Sequence, residues 1–352
     1  MNELPEIGKI SPEVFNELIF PRLGAKSDNI LVGPQHGVDV GIVEIGDKAV
    51  ALTTDPVFIV PEYGWERAAW FAIHILASDA VTSGLKPKYL SIDLNLPMEM
   101  TKEQLEIVWD TMHKECKKLG IAVVCGHTAR YENCHYPMVG GATVICVGEK
   151  DEYVTPKMAR SGDKIIITKG PAIEATGIFA AMFPKVTERE FGAEFSKRAQ
   201  EVFYKMSVVE DALTAVSVGV RDSGITSMHD ATECGIWGGL YEIAQAANLG
   251  VRVEKERIVV EKCVPEICKY FGIDPYASIS EGTLIMSCRE HKAEEVVKAL
   301  SRKGIASSIV GELVSPGHGM ILVERGKEKK LKHPVVDPFW QAFYNALKNT
   351  PS

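Results

Sequence analysis

Val38-Asp39-Val40-Gly41-Ile42-Val43-Glu44-Ile45-Gly46-Asp47-Lys48-Ala49-Val50-Ala51-Leu52-Thr53-Thr54-Asp55-Pro56 holds two β-rich runs, Val40 to Ile45 and Ala49 to Thr54, on either side of Gly46-Asp47-Lys48. Branched apolar residues flanking a Gly-Asp turn predict a β-hairpin. Asp39 and Asp55 then bracket it, near one of its ends. Upstream, Ser11-Pro12-Glu13 opens a short helix through Phe20, with Ser as cap and Pro at the first helical position, and residues 1–11 read as irregular. Downstream, a helical pattern runs from Trp65 to Ser83 and stops at Gly84 and Pro87. A strand from Tyr89 to Leu96 follows it. Thr101-x-x-Gln104 is a capping box for a helix to Lys118, closed by Gly120. Ile121 to Val124 and Met138 to Val147 read as further strands, which completes a mixed α/β unit over residues 1–152.

The polar stretch Glu149 to Pro156 marks the boundary, and residues 153–352 form the second unit. Strand patterns at 165–168, 225–229, 251–254, 282–287, 306–311 and 319–323 alternate there with helix patterns at 172–182, 194–217, 236–248, 261–271 and 291–303. That alternation predicts a second α/β domain with a mixed sheet. Lys327-Glu328-Lys329-Lys330 reads as a solvated turn, and Phe339 to Tyr344 as a docking helix.

The 352 residues are 46% hydrophobic and 24% charged, values that exclude a disordered, collagen-like or coiled-coil chain. The net charge of −8 has the wrong sign for a protein whose work is binding nucleic acid or an anionic membrane. The acidity is local: residues 1–100 carry a net −7, the remainder −1. Eight cysteines without a Cys-x-x-Cys read as reduced thiols, and those in apolar runs, Cys125 and Cys146, as buried and inert. The start MNELPEIGKI lacks an apolar signal region, and the longest apolar stretch, Ala68 to Leu76, is too short to span a bilayer. A cytoplasmic protein is expected.

Five acidic residues fall at the ends of predicted elements: Asp39, Asp55, Asp79, Asp230 and Glu233. Carboxylates gathered there suit Mg²⁺, which takes a few protein oxygens and fills its other positions with water and substrate phosphates. Singly, each equally fits a helix cap or a turn. Two glycine segments, Val32-Gly33-Pro34-Gln35-His36-Gly37 and Cys125-Gly126-His127-Thr128, fit a strand running into a turn whose free N–H groups face an anion. P-loop, dinucleotide and nucleophile-elbow motifs are absent from the sequence. His36, His127 and His229 stand beside these segments as ligands, proton carriers or hydrogen-bonding residues, and Lys9 could reach a phosphate if the N-terminal tail folds over a site.

In order, Gly33 to Val43, Thr53-Thr54-Asp55, Ser78 to Pro87, Gly126-His127-Thr128, Gly162 to Ile166, Met228 to Ala244 and Glu281 to Leu284 resemble the AIR synthase (PurM-like) superfamily over most of the chain. The resemblance implies a two-domain fold, with an N-terminal domain that pairs into a dimeric β-barrel and a C-terminal α/β domain packed on it. It implies ATP at their junction, and Mg²⁺ on Asp39, Asp55, Asp79 and Asp230. Lys9, Gly33, Gly37, Gly126, Thr128 and His229 are then the cofactor-binding candidates, and His127, Asp230 and Glu233 the catalytic ones. Asp230 to Ile236, Tyr241 to Ala244 and Phe271 to Gly282 resemble the branch of the hydrogenase maturation protein HypE. That branch dehydrates a carbamoyl group held on a C-terminal cysteine. Here the last cysteine is Cys288 and the sequence ends Asn349-Thr350-Pro351-Ser352. Val38 and Gly41 also depart from the usual Asp-Asp-Ala-Ala run, and His127 stands where relatives often carry an acid. The expectation is an ATP- and Mg²⁺-dependent homodimer, performing carbamoyl dehydration in hydrogenase maturation or a paralogous reaction on a small or protein-borne acceptor, with hydrogenase maturation proteins as partners. The alternatives are a phosphotransferase of the thiamine-monophosphate kinase type and a non-catalytic nucleotide-binding scaffold.

Overall fold

A computed structural model describes residues 4, 10–35 and 37–349, so Lys9 and His36 lie outside the described residues. Ser11 caps α1 (Pro12–Val14) through its Oγ, which accepts from the Val14 N–H at 3.3 Å. Six strands follow: β1 (Ile30–Val32), β2 (Gly41–Ile45), β3 (Lys48–Phe58), β4 (Pro87–Leu96), β5 (Ala122–Arg130) and β6 (Met138–Glu149). They form one sheet in the order β1-β2-β3-β6-β4-β5. The hairpin is β2–β3, with Ile45 paired to Lys48 across a two-residue Gly46-Asp47 turn. Between β3 and β4 lies α2 (Trp65–Val81), and between the parallel pair β4 and β5 lies α3 (Lys102–Leu119), the crossover such a pair requires. Thr101 and Gln104 make the reciprocal capping box, and Gly120 ends α3 in the left-handed conformation, φ 74°.

The second half alternates β7 (Lys164–Thr168), α4 (Ile173–Met182), α5 (Pro184–Phe191), α6 (Ala193–Glu201), α7 (Val209–Val216), β8 (Ile225–Asp230), α8 (Gly235–Ala246), β9 (Gly250–Glu254), α9 (Val264–Phe271), β10 (Leu284–Cys288), α10 (Glu290–Arg302), β11 (Ser307–Val314), β12 (Met320–Glu324), β13 (Lys327–Lys330) and α11 (Pro338–Asn349). Its seven-stranded sheet has the order β13-β12-β9-β11-β7-β10-β8. The largest apolar core is continuous between the two halves: Leu76, Ala77 and Ala80 of α2 share it with Ala212 of α7, Met228 of β8 and Met286 of β10. Among the described residues no helix is long and apolar enough to cross a membrane.

The sequence reading is corrected in four places. Lys327 to Lys330 is a strand rather than a turn, because its backbone completes the sheet beside β12 while all four side chains stay in water. The pattern at 194–217 is two helices, α6 and α7. The chain breaks where the Lys205 carbonyl lies against Gly282, so closely that a Cβ there would sit 2.2 Å from it. Gly126-His127-Thr128 is not a turn: β5 runs straight through it to Arg130. Gly126 answers strand proximity, since a Cβ would lie 2.3 Å from the Ile92 carbonyl oxygen. Cys125 is exposed, because β5 is a sheet edge, whereas Cys146 on β6 is buried as expected.

Candidate functional site

The two sheets meet through a set of carboxylates. Asp39 lies in the loop before β2, Asp55 lies on β3 opposite Ala142, and Asp79 lies half-buried in the last turn of α2. Thr53 Oγ1 donates to Asp79 Oδ2 at 3.3 Å, and the Asp79 carbonyl accepts from Thr82 Oγ1 at 2.7 Å, which fixes the last turn of the helix. From the second sheet, β8 ends on His229-Asp230, with Asp230 paired to Leu284 of β10. Pairing therefore sets Glu281, three residues before Leu284, beside Asp230. The Glu281 N–H donates to Glu174 Oε2 at 2.9 Å, bringing in the first turn of α4.

Asp230 is fully buried, and neither of its carboxylate oxygens receives a hydrogen bond; Glu281 Oε2 is buried and equally unmatched. Such oxygens are costly unless a cation or a proton meets them. Burial first, and then the Asp39 charge, push the Asp230 carboxyl up to about 7. Burial and the neighbouring Asp230 charge raise Asp79 and Glu281 well above the carboxylate range. Burial likewise lifts Glu174 to about 8 and Asp337 to about 6.

His229 ties the halves together. Its Nδ1 lies 2.8 Å from Asp39 Oδ2 and its Nε2 lies 2.7 Å from Glu242 Oε2 on α8. Burial favours the neutral ring, but the two carboxylates outweigh it and hold the imidazole charged well above the usual histidine range. Gly37 makes the approach feasible: it adopts φ 73°, and a Cβ there would come within 2.7 Å of the Glu242 carbonyl oxygen. Asp39, His229 and Asp230 each offer a ligand atom, all within 4.8 Å of one another.

Residues 37–150 match the N-terminal domain of AIR synthase related proteins, and residues 160–324 match their C-terminal domain. The chain belongs to the AIR synthase related family. It is 24% identical over 336 residues to a putative hydrogenase expression/formation protein of Methanocaldococcus jannaschii, covering 94% of this chain and 96% of that one. It is 24% identical to the carbamoyl dehydratase HypE of Escherichia coli, covering 84% and 85%. A selenide, water dikinase of Carboxydothermus hydrogenoformans is 26% identical, covering 90% and 95%. Solved structures share the fold: a chain of a HypE–HypF complex (TM-score 0.70, 18% identity, 91% and 99% covered), HypE in complex with ATP (0.65, 21%, 95% and 97%) and AaThiL complexed with AMPPCP and TMP (0.68, 19%, 92% and 97%).

In this AIR synthase related chain the fold gathers Asp39, Asp79, His229 and Asp230, with Asp55 close enough for its charge to act on Asp79. Glu233 lies in the turn after β8, where its charge reaches Glu174 and Asp337. Gly33 and Gly37 belong to the loop that delivers Asp39. Gly126, His127 and Thr128 are not brought to the cluster within one chain. Asp55, Ala142, Ile92 and Gly126 follow one another across β3, β6, β4 and β5, three strand spacings or about 14 Å. His127 instead meets the Tyr131 hydroxyl at 2.8 Å on the exposed edge. Glu174, Glu242 and Glu281 escaped the sequence reading of the site. Glu281-Gly282, just before a strand, was the one legible signal, and its meaning depended on which strand would lie beside β8.

Proposed function

We propose that this protein is an ATP-dependent enzyme of HypE type, using ATP and a divalent cation to activate an oxygen of an acceptor. The observation that carries this reading is the pair of fully buried, unmatched Asp230 oxygens among further carboxylates. That donor set fits a hard cation and, through it, the phosphates of a nucleotide. Asp39, Asp55, Asp79 and Asp230 would hold Mg²⁺, and the loop from Gly33 to Gly37 would approach the nucleotide. ATP, when bound, supplies the phosphoryl group that turns the acceptor oxygen into a leaving group. The chain's own part is to position and to exclude water, with Asp230 drawn from the second sheet, Asp55 from the first and Asp39 from the loop before β2. Glu233, in the turn after β8, is the proposed acid–base residue.

The fold shared with HypE in complex with ATP supports the cofactor, and the HypE–HypF complex supports a hydrogenase maturation protein as partner. Homodimerisation is proposed through β5, whose edge exposes Val123 and Val124. His127, Gly126 and Thr128 would then act at the subunit boundary. The likeness to AaThiL complexed with AMPPCP and TMP favours a second reading, phosphotransfer to an organic acceptor. Labelled ATP separates the two: label in free phosphate supports the first, label on the acceptor the second. For the shared cation site, Asp55→Asn is expected to weaken Mg·ATP binding at least tenfold with the fold intact; unchanged binding by calorimetry would refute the assignment.

A further inference from the structure

One cation position in this cluster is not built from oxygen alone. His229 is 4% exposed, and its two nitrogens face different surroundings. Nε2 is engaged by Glu242 at 2.7 Å, while Nδ1 lies 2.8 Å from Asp39, and one ring nitrogen, one Asp39 oxygen and one Asp230 oxygen all lie within 4.8 Å of one another. A carboxylate holding the outer ring nitrogen, so that the inner one faces a metal, is the recurring arrangement around histidine ligands. The inner neighbour Asp230 is fully buried with both oxygens unmatched, an independent sign that a cation completes the set. The Asp39–His229 contact then represents the cation-free arrangement, and an entering ion takes the place of the proton between them.

We propose that His229 Nδ1 is a metal ligand, with Asp39 and Asp230, and that this position prefers a divalent transition metal such as Mn²⁺ over Mg²⁺. Imidazole nitrogen suits Fe²⁺, Ni²⁺, Cu²⁺ and Zn²⁺ best, and Mn²⁺, although it also takes oxygen, accepts it more readily than Mg²⁺, which favours oxygen and retains its water. Glu242 is a positioning residue, acting through His229. The inference rests on the cation-dependent reading above and makes it specific.

The test is electron spin-echo spectroscopy of the full chain with one equivalent of Mn²⁺ and no nucleotide. Modulation from ¹⁴N is expected, replaced by the ¹⁵N signature when the protein is made with ¹⁵N-histidine. In His229→Gln the nitrogen signal should vanish while Mn²⁺ still binds the carboxylates, and the Mn²⁺-over-Mg²⁺ preference measured by competition should fall about tenfold. Glu242→Gln should keep the nitrogen signal and lower Mn²⁺ affinity about tenfold, which leaves the proposal testable if His229→Gln fails to fold. Bound Mn²⁺ without nitrogen modulation in the native protein would overturn the histidine ligand and leave the carboxylate reading standing. Failure to bind either ion would overturn both.

Discussion

Asp230 shows how one residue trades stability for a site. A fully buried carboxylate with unmatched oxygens destabilises the cation-free protein. Asp230→Asn is therefore expected to raise cation-free stability by about 1–2 kcal/mol, seen as a melting midpoint higher by a few degrees, while divalent-cation binding is lost. A lower midpoint would show that the side chain serves packing instead. Asp39, Asp55, Asp79 and Asp230 were legible in the sequence, because small acids at strand and helix ends announce themselves by position. Glu281, Glu242 and Glu174 were not, because each gains meaning from a neighbour 51 to 107 residues away or from a facing helix turn. No local pattern records that α8 carries Glu242 up to His229.

At the scale of elements, local chemistry was most reliable where the signal was reciprocal. Thr101 and Gln104 cap α3 in both directions, the Thr101 N–H donating to Gln104 Oε1 at 2.9 Å and Thr101 Oγ1 accepting from the Gln104 N–H at 3.2 Å. Thr101→Ala is expected to cost about 1 kcal/mol in denaturant unfolding without affecting cation binding. The hairpin over Val40 to Thr54 was legible for the same reason, its turn and its alternation agreeing. Elements were misread where tertiary contact overrode propensity. The helix pattern at 194–217 yields to the close approach of Lys205 to Gly282, and the lysine-rich β13 is a strand only because β12 offers it a ladder. Gly126 read as a turn because a glycine needed for strand proximity looks, in sequence, like a glycine needed for a bend.

For the whole molecule, the junction of the halves governs behaviour with pH and concentration. His74 on α2 is buried between Ser207 Oγ, 2.8 Å from Nδ1, and Glu115, and burial pushes its imidazole down to about 4. Its folded value lies below the unfolded one, so the unfolded chain binds the proton more readily. The stability it contributes is complete above pH 6.5 and is lost as pH falls towards 4, by up to about 3 kcal/mol. Unfolding followed over that window should show a steeper decline in the native protein than in His74→Gln; parallel curves would exclude this origin. Val124, 54% exposed on the β5 edge, is expected to be covered by a second copy, so Val124→Glu should shift sedimentation from dimer to monomer.

The carboxylates come from both halves of the chain, which passes between the halves only through the stretch between β6 and β7 that includes the polar residues 149–156. A cation bound there would be more than a reactant's companion: it would reinforce a junction that the shared apolar core already holds. Cleavage of that connecting stretch by a protease would leave two fragments held by that core, and a bound ion would raise the denaturant concentration needed to separate them, an increment that a chelator removes. The difference in that separation midpoint with and without the ion thus gauges occupancy, and it requires neither nucleotide nor acceptor.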